Sequence, residues 1–596
     1  MSLKWRLARV RAMSSREIAF RVGRAVRERA ERWGMGLASA PAPFGTSGKP
    51  WLAALPRNFD SKTYTAAADA VLSGTWRVFA MDRAALGFPP RWNRDPKTGT
   101  VAPLIFGKSL DYRNPRNVGD IKYLWEINRH LELVTLAQAW HLSRDERYAL
   151  GCRTLVDSWI SECPYPFGAN WCSSLEHAMR LVNWSFAWHL LGGPDSPVFT
   201  DGAGNAFRTR WLTSIYQHCH FIAGHLSRHS SANNHLLGEA TGLLIGATTW
   251  PMWDVSRHWQ AFARLELSRE ALEQTFIDGV NREQAVWYHH AVADMMLLAG
   301  LVARANDIEL GLAYWQRLHA MLEFLASIMD AGGNVPPIGD ADDGVLVRFD
   351  PTPDFDVYRS LLATGAVLFD RAEFKSKAGK MDDKTRWLLG DEADARFAQL
   401  AAQPNRGPEL PRREFPQGGY YVLGSRFETP REVRIVADAG PLGYLSIAAH
   451  GHADALSFTL SAGGLPILID PGTFAYHTER RWRDYFRGTS AHNTLRVDGH
   501  DQSVAGGNFL WLEHARTAVE SFETAPDGDR LIARHVGYQR LADPVRHRRA
   551  FHYQHERMVL TIEDFLECRA AHRFEWFWHF APGCAVVVDG DTVDVR

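Results

Sequence analysis

The segment QPNRGPELPRREFPQG, residues 403–418, separates two parts of the chain whose hydrophobic residues repeat with different periods. It is rich in proline, glycine and polar residues, which is typical of a linker. After it the period is two, as in Leu456, Phe458 and Leu460, and Gly463-Gly464 predicts a hairpin turn. Before it the period is helical. Helices followed by strands predict an α+β multidomain protein with two segregated modules.

The helical part extends from about residue 60 to residue 400. One apolar stripe is formed by Leu124, Ile127, Leu131, Val134 and Ala137. Ser143 is the predicted N-cap of the helix that follows. Many amphipathic helices with short breaks between them indicate antiparallel hairpins arranged in a ring or a stack.

These patterns predict four segments. Residues 1–56 form a basic helix and a linker, 57–402 the helical domain, 403–418 a second linker, and 419–596 the β domain. The last residues, AVVVDGDTVDVR, predict a strand, an Asp-Gly turn and a further strand at the very end of the sequence. A sandwich that stops there is expected to be truncated.

The net charge and the cysteine pattern limit the kinds of ligand and metal site that the chain could have. The 596 residues carry a formal net charge of −1, so no overall field attracts the chain to nucleic acid, and an acidic substrate must be held by local basic groups. The six cysteines form no C-x-x-C pair and predict neither a disulfide scaffold nor a thiolate zinc site. The sequence does not indicate an oligomeric state.

The N-terminal segment is basic and lacks the apolar run of a signal peptide. No stretch approaches the ~18 apolar residues of a transmembrane span. The expected compartment is therefore the cytoplasm, with a periplasmic or envelope-associated location as the alternative. The first residues are interpreted either as a helix docked on the helical domain or as a basic amphipathic helix that contacts a membrane surface.

Three groups of residues could carry chemistry. In the first, Asn233, Asn234 and His235 begin a helix, where free N–H groups and the helix dipole favour an anion. In the second, Tyr288 and His289 follow Glu283-Gln284 at the start of another helix. An N-cap and a buried tyrosine with a hydrogen-bond partner are the structural alternatives for these two groups.

The third group lies in the β domain. His450 and His452 are two residues apart, so on a strand they would point to the same face. His452, Asp470 and His492 are expected on separate strands and offer nitrogen and oxygen ligands suitable for a divalent metal ion, with zinc the expected one. No organic cofactor is expected.

Together these motifs resemble those of the heparinase II/III superfamily of polysaccharide lyases, in its branch associated with bacterial exopolysaccharide. The resemblance implies an incomplete (α/α) toroid followed by an antiparallel β-sandwich. It also implies substrate-binding residues on the toroid and near its cleft. These are Trp125, Glu126, Arg129, Glu176, Arg180, Glu239, His289 and Asp340.

The activity implied is β-elimination on a uronic acid in an acidic polysaccharide. This reaction neutralises the substrate carboxylate, removes the C5 proton and protonates the leaving oxygen. Asn234 and His235 suit the first role, and Tyr288 suits base and acid if nearby positive charge lowers its pKa of ~10. His289, His450 or Arg129 could supply that charge. His450 is the candidate for the second proton-transfer group, and the metal is expected to be structural.

Two other functions remain open at this stage. A glycoside hydrolase on the same toroid would use paired carboxylates, with Glu239, Glu283, Asp340 and Asp342 as candidates. A polysaccharide-binding protein without catalysis would need no proton-transfer residues, so Tyr288 and His450 argue against it.

Overall fold

The computed structural model describes residues 13–400 and 411–596, and residues 403–410 of the predicted linker lie outside this part of the chain. Helices occupy most of the first range. The α-helices of the described residues are α1 Ser15–Arg32, α2 Ser61–Leu72, α3 Pro115–Val118, α4 Ile121–Ile127, α5 Leu131–Ser143, α6 Glu146–Glu162, α7 Ser174–Leu190, α8 Gly202–Gly224, α9 Asn234–Thr249, α10 Ser256–Glu273, α11 Val286–Ala305, α12 Leu312–Ile328, α13 Val357–Phe369, α14 Ala372–Ala378, α15 Asp383–Leu389, α16 Ala393–Gln399 and α17 Arg480–Phe486.

The helices pack around α9. This helix contacts α7, α10 and α11, and nearly all of its residues are buried. Among the described residues, α11 is the one helix long and apolar enough to cross a membrane, but 89% of its most apolar stretch is buried inside the protein. Its apolar character therefore reflects its position in the core.

The apolar stripe predicted around Leu131 is buried but belongs to two helices. The chain breaks between α4 and α5, where His130 has φ 62°. Asn128 stabilises this break, since its side-chain amide donates to the carbonyls of Trp92 and Leu124 and accepts from the Trp159 indole. The predicted N-cap was also wrong: Asp145 caps α6, while Ser143 ends α5.

Residues 39–56, predicted as a linker, are packed across the helical domain. The backbone N–H of Gly48 donates to the Thr249 carbonyl, and the Trp51 indole donates to the Trp387 carbonyl. A Cβ at position 48 would lie 2.1 Å from the carbonyl oxygen of Thr248, so glycine is needed for this close approach. The segment thereby joins the C-terminal ends of α9 and α15.

Strands dominate the second range. In the first range β1 Thr75–Val78 and β2 Met81–Ala85 form one hairpin. The strands of the second range are β3 Glu414–Phe415, β4 Tyr420–Ser425, β5 Val433–Asp438, β6 Phe458–Ala462, β7 Leu465–Leu468, β8 Leu495–Val497, β9 Val504–Gly507, β10 Leu510–Glu513, β11 Thr517–Ala525, β12 Gly528–His535, β13 Arg546–Gln554, β14 Val559–Glu567, β15 Phe574–Trp576, β16 Val586–Asp589 and β17 Thr592–Val595. Two antiparallel sheets, β3-β4-β5-β6-β7 and β11-β12-β13-β14, enclose one apolar core. This is a sandwich.

The hairpin at Gly463-Gly464 is confirmed, with φ 61° and 77° between β6 and β7. The sheet begins at Glu414, inside the segment predicted as a linker. His450 and His452 do not lie on a strand, because residues 439–457 form an irregular connection between β5 and β6. Leu456, predicted on a strand, has φ 61° in this connection.

The two domains share a buried interface. Phe324 and Ile328 of α12 belong to one apolar cluster with Phe415, Tyr420 and Val436 of the sandwich. Beside it, the guanidinium of Arg434 donates to the Ser327 carbonyl and pairs with Glu432. The loop that follows α12 therefore lies against the sandwich. Asp340 lies further along this loop.

Candidate active site

The carboxylate of Asp340 is the centre of the site. It lies 3.0 Å from His450 Nδ1, 2.9 Å from His452 Nε2 and 2.8 Å from Arg483 Nη2, and it also accepts from the Thr473 hydroxyl. Burial alone would raise the pKa of Asp340, but Arg483 and the two imidazoles hold it well below its usual range. Asp340 was predicted to bind substrate. The structure does not support this prediction, because the Asp340 oxygens are fully buried and already bonded within the protein.

Tyr288 lies against His450. The two rings stack with centroids 3.8 Å apart, and the Tyr288 hydroxyl lies 3.1 Å from that of Tyr476. Tyr288 stands in the first turn of α11, so a helical-domain residue meets a sandwich residue here. Burial, and then the charges of Asp342 and Asp340, raise the pKa of Tyr288 well above 10. Tyr288 therefore rests as a neutral phenol, without the lowered pKa that a role as the base would require.

Asn234 and His235 begin α9 beside this pair. Asn233 is the N-cap, and its side chain accepts from the His235 N–H. The Asn234 amide donates to both oxygens of Glu283 at 3.0 Å. One of those oxygens lies 3.7 Å from His450 Nε2. Burial, followed by the nearby His450, lowers the pKa of His235 to about 4, so this imidazole is neutral.

A second ionic group lies on α4 and α7. Arg129 donates to Glu126 at 3.0 Å and makes two bonds of 3.0 Å with Glu176. Burial raises the pKa of Glu126 to about 7, although Arg129 opposes the shift. Glu176 lies in the first turn of α7, which packs against α9, so Arg129 and its partners lie close to α9. Trp125 is half-buried there, and its indole donates to the Ala169 carbonyl.

Three further predicted substrate-binding residues are buried and bonded to other groups of the protein. Arg180 is fully buried and donates to His218 and to backbone carbonyls in the helical core. Glu239 accepts from the backbone and hydroxyl of Ser227. His289 points away from Tyr288, and its Nε2 lies 3.0 Å from the Met321 carbonyl. The structure gives these three predictions no support, because polar residues on a helix can bond inward as well as line a cleft.

Three residues of the site were missed as lyase components: Glu283, Tyr476 and Arg483. Glu283 was considered only for hydrolysis. Tyr476 and Arg483 lie in the aromatic and basic stretch FAYHTERRWRDYF after Asp470-Pro-Gly. This composition was the available signal, and the structure places Lys122 over the Tyr476 ring at 4.7 Å as a further cation at the site.

His452, Asp470 and His492 form a compact buried group whose candidate ligand atoms all lie within 4.8 Å of one another. They lie in connections beside strands and not on the strands predicted. His452 Nδ1 and His492 Nε2 have no hydrogen-bond partner among the described residues. The other nitrogen of each ring is held by a carboxylate, from Asp340 and Asp470 respectively. Imidazoles oriented by carboxylates, with an unused buried nitrogen, fit a metal ion.

Comparisons with known proteins agree with this architecture. The family description Heparinase II/III N-terminus matches residues 91–348, and Heparinase II/III-like, C-terminal matches residues 407–595. A heparin-sulfate lyase of Bacteroides thetaiotaomicron is 23% identical over 468 residues, which cover 76% of this chain and 60% of that protein. A heparin-sulfate lyase of Pedobacter heparinus is 24% identical over 418 residues, covering 67% and 55%. The chain thus spans less than two thirds of the length of these relatives.

Solved structures show the same fold. Heparinase III superposes with a TM-score of 0.65 at 17% identity, over 96% of this chain and 81% of that one. The heparan sulfate lyase HepC from Pedobacter heparinus gives 0.56 at 20% identity, over 94% and 76%. The predicted fold class, an incomplete (α/α) toroid followed by an antiparallel β-sandwich, is confirmed. On the two family matches and this fold, the chain belongs to the heparinase II/III superfamily.

Proposed function

We propose that the protein is a polysaccharide lyase that cleaves a uronic-acid-containing polymer by β-elimination. The observation that carries the proposal is the stacked pair of Tyr288 and His450, which brings two proton-transfer groups from different domains to one point. Asn234 and His235 lie beside this pair, where a carboxylate would be neutralised. The names of the relatives, heparin-sulfate lyases, support the same reaction class. An acidic exopolysaccharide remains our proposed substrate.

The arrangement around His450 favours it as the base. An ionised Asp340 oxygen can only accept a hydrogen bond, so in the neutral form of His450 the ring proton lies on Nδ1 and the lone pair on Nε2. A carboxylate that holds a histidine in this way fixes both its tautomer and its orientation. His450 Nε2 would then take the C5 proton of the uronic acid.

Tyr288 is suited to the acid role. Its raised pKa keeps the proton on the phenol, and a phenol can donate that proton to the leaving O4. The C5–H and C4–O4 bonds break, a C4–C5 double bond forms, and O4 gains a proton. The neighbouring Tyr476 hydroxyl would hold the Tyr288 oxygen in place. The alternative, in which Tyr288 both removes and returns the proton, needs a phenolate that burial disfavours.

Glu283 would take part in binding the substrate carboxylate. The Glu283 carboxylate accepts hydrogen bonds from the Asn234 side-chain amide. Burial raises the pKa of Glu283, although the nearby His450 opposes the shift. A protonated Glu283 could donate to the entering carboxylate together with Asn234 and the neutral His235. The C5 proton becomes more acidic as the carboxylate charge is neutralised.

We also propose a divalent metal ion, zinc by its ligand set, at His452, Asp470 and His492. When bound, the ion would supply structural cross-linking between three connections of the sandwich. One Asp340 oxygen contacts His452 and the other contacts His450. An ion that fixes the position of His452 would therefore also help to fix Asp340 and, through it, the ring of His450. The ion has no part in proton transfer.

Two of the four carboxylates considered for a glycoside hydrolase are already bonded within the protein. Asp340 is bonded to four side chains, and Glu239 is bonded to Ser227. Glu283 and Asp342 remain, and neither needs a stacked Tyr–His pair to act. A binding protein would need no such pair at all.

The reaction class predicts a particular product. A susceptible uronate polymer should yield oligosaccharides that absorb ultraviolet light, because the new C4–C5 double bond is conjugated with the carboxylate. The product that carries the double bond should be lighter by one water than its hydrolytic counterpart, as measured by mass spectrometry. The carboxyl-reduced polymer should stay intact. Reducing ends without absorbance would contradict the proposal and favour hydrolysis.

Tyr288→Phe removes only the hydroxyl and should lower kcat by about 10²–10⁴-fold, since a general acid contributes roughly that much. The melting temperature should change little. Tyr314→Phe is the matched control, because it also removes a buried hydroxyl, one that donates to the Met296 carbonyl in the core. A Tyr288→Phe variant with half of the wild-type turnover would show that Tyr288 is not the acid.

Elemental analysis of the purified protein should find close to one divalent ion per chain. His492→Ala should lose it and lower the melting temperature, because an ion bound to the native state stabilises that state. The control is His500→Ala, which changes an exposed histidine nearby. Equal metal content and melting temperature in the wild type and His492→Ala would rule out the metal site.

A further inference from the structure

Helix α1 is fixed to the helical domain by one face. Arg21 donates to the Ser230 hydroxyl at 3.1 Å near its start. Near its end, Glu31 lies 3.0 Å from His225 Nε2, and Arg27 donates to the Gly224 carbonyl. These contacts span three turns of the helix, so it cannot rotate without breaking them. The orientation of its opposite face is therefore set by the fold.

The opposite face is apolar and exposed. Ile18, Val22, Val26 and Trp33 are 40%, 60%, 65% and 70% exposed. Their spacing of four, four and seven residues places them in one stripe along the helix. Scattered exposed apolar residues are ordinary on a protein surface, but a continuous stripe indicates a binding surface.

The charges of α1 are divided between its two faces. All three acids form ion pairs or hydrogen bonds with neighbouring arginines of the same helix: Glu17 with Arg21, Glu28 with Arg24, and Glu31 with Arg27. The remaining arginines, Arg16, Arg29 and Arg32, form no salt bridge among the described residues, and by helical spacing Arg29 lies on the apolar stripe and Arg32 beside it. The outward face therefore combines apolar side chains with positive charge only.

The sequence before α1 has the same character. Residues 1–12 contain Lys4, Arg6, Arg9 and Arg11 with apolar residues between them, and no acid. Residues 1–36 hold ten basic and three acidic side chains, although the chain as a whole has a net charge of −1. The positive charge is thus concentrated at this end of the protein.

We propose that the outward face of α1 binds the surface of an anionic lipid bilayer. An apolar stripe with arginines at its edges, no unpaired acid and a tryptophan at one end is the pattern of a helix that lies in the membrane interface. The arginines would meet lipid phosphates while the aliphatic side chains enter the acyl boundary. A second copy of this surface fits poorly, because two sets of arginines would face each other.

Helix α1 contacts a segment of the helical domain that is adjacent in sequence to the proposed substrate site. The segment that α1 contacts, residues 224–230, leads directly into the first turn of α9 with Asn234 and His235. Binding through α1 would hold the cleft close to a lipid surface, where a polymer made or exported at a membrane passes. The lipid proposal does not depend on the proposed lyase activity.

The test is sedimentation of the full-length protein with vesicles. Vesicles of phosphatidylcholine with about one third phosphatidylglycerol should bind the protein, and vesicles of phosphatidylcholine alone should not. Added salt should weaken the binding because exposed charges are screened. Val22→Glu with Val26→Glu should reduce the partition coefficient at least about tenfold, and so should Arg29→Glu with Arg32→Glu.

The matched control is Leu265→Glu with Leu312→Glu, which changes two equally exposed aliphatic residues on α10 and α12. It should bind vesicles like the wild type. All variants should keep their circular dichroism spectrum and their turnover on dissolved polymer. The proposal is overturned by equal binding to neutral vesicles, by an unchanged partition of both α1 variants, or by dimerisation through α1 in analytical ultracentrifugation.

Discussion

One buried carboxylate holds the site together. Asp340 belongs to a loop of the helical domain, yet its partners His450, His452 and Arg483 all come from the sandwich. Removing one partner of a buried ion pair is strongly destabilising, because the other charge is left without compensation. The contact of Tyr288 with His450, the tautomer of His450 and the position of the metal group therefore all depend on this carboxylate. The domain interface is part of the catalytic apparatus we propose.

The general architecture could be predicted from the sequence because it follows from local pattern. A change from helical to alternating periodicity across residues 403–418 separates the two domains, and Gly463-Gly464 marks a hairpin. The errors occur where distant contacts decide the backbone. The break at His130 is stabilised by hydrogen bonds between the Asn128 side chain and two other segments. Residues 39–56 pack on the helical domain because Gly48 and Trp51 donate to carbonyls that are distant in sequence. Such contacts leave no local periodicity.

The candidate site was also predicted only in part, because some of its residues lie in local motifs and others are defined by distant contacts. Asn234, Tyr288 and His450 lie in short motifs that stand out in the sequence, and the structure brings them together. Arg180, Glu239 and Asp340 are equally polar in sequence, yet they bond inward to other protein groups. The direction of a polar side chain depends on its tertiary neighbours. Tyr476 and Arg483 were missed because their partners lie in distant segments of the chain.

The most direct test of this account is Asp340→Asn, measured for turnover and for bound metal in the same preparation. The amide cannot accept from all its partners, so we expect turnover to fall by orders of magnitude and the metal content to fall with it. Asp330→Asn is the control, since Asp330 is buried in the same loop but bonds to Asn334. It should keep both properties. An Asp340→Asn enzyme with wild-type turnover and a full complement of metal would contradict the account.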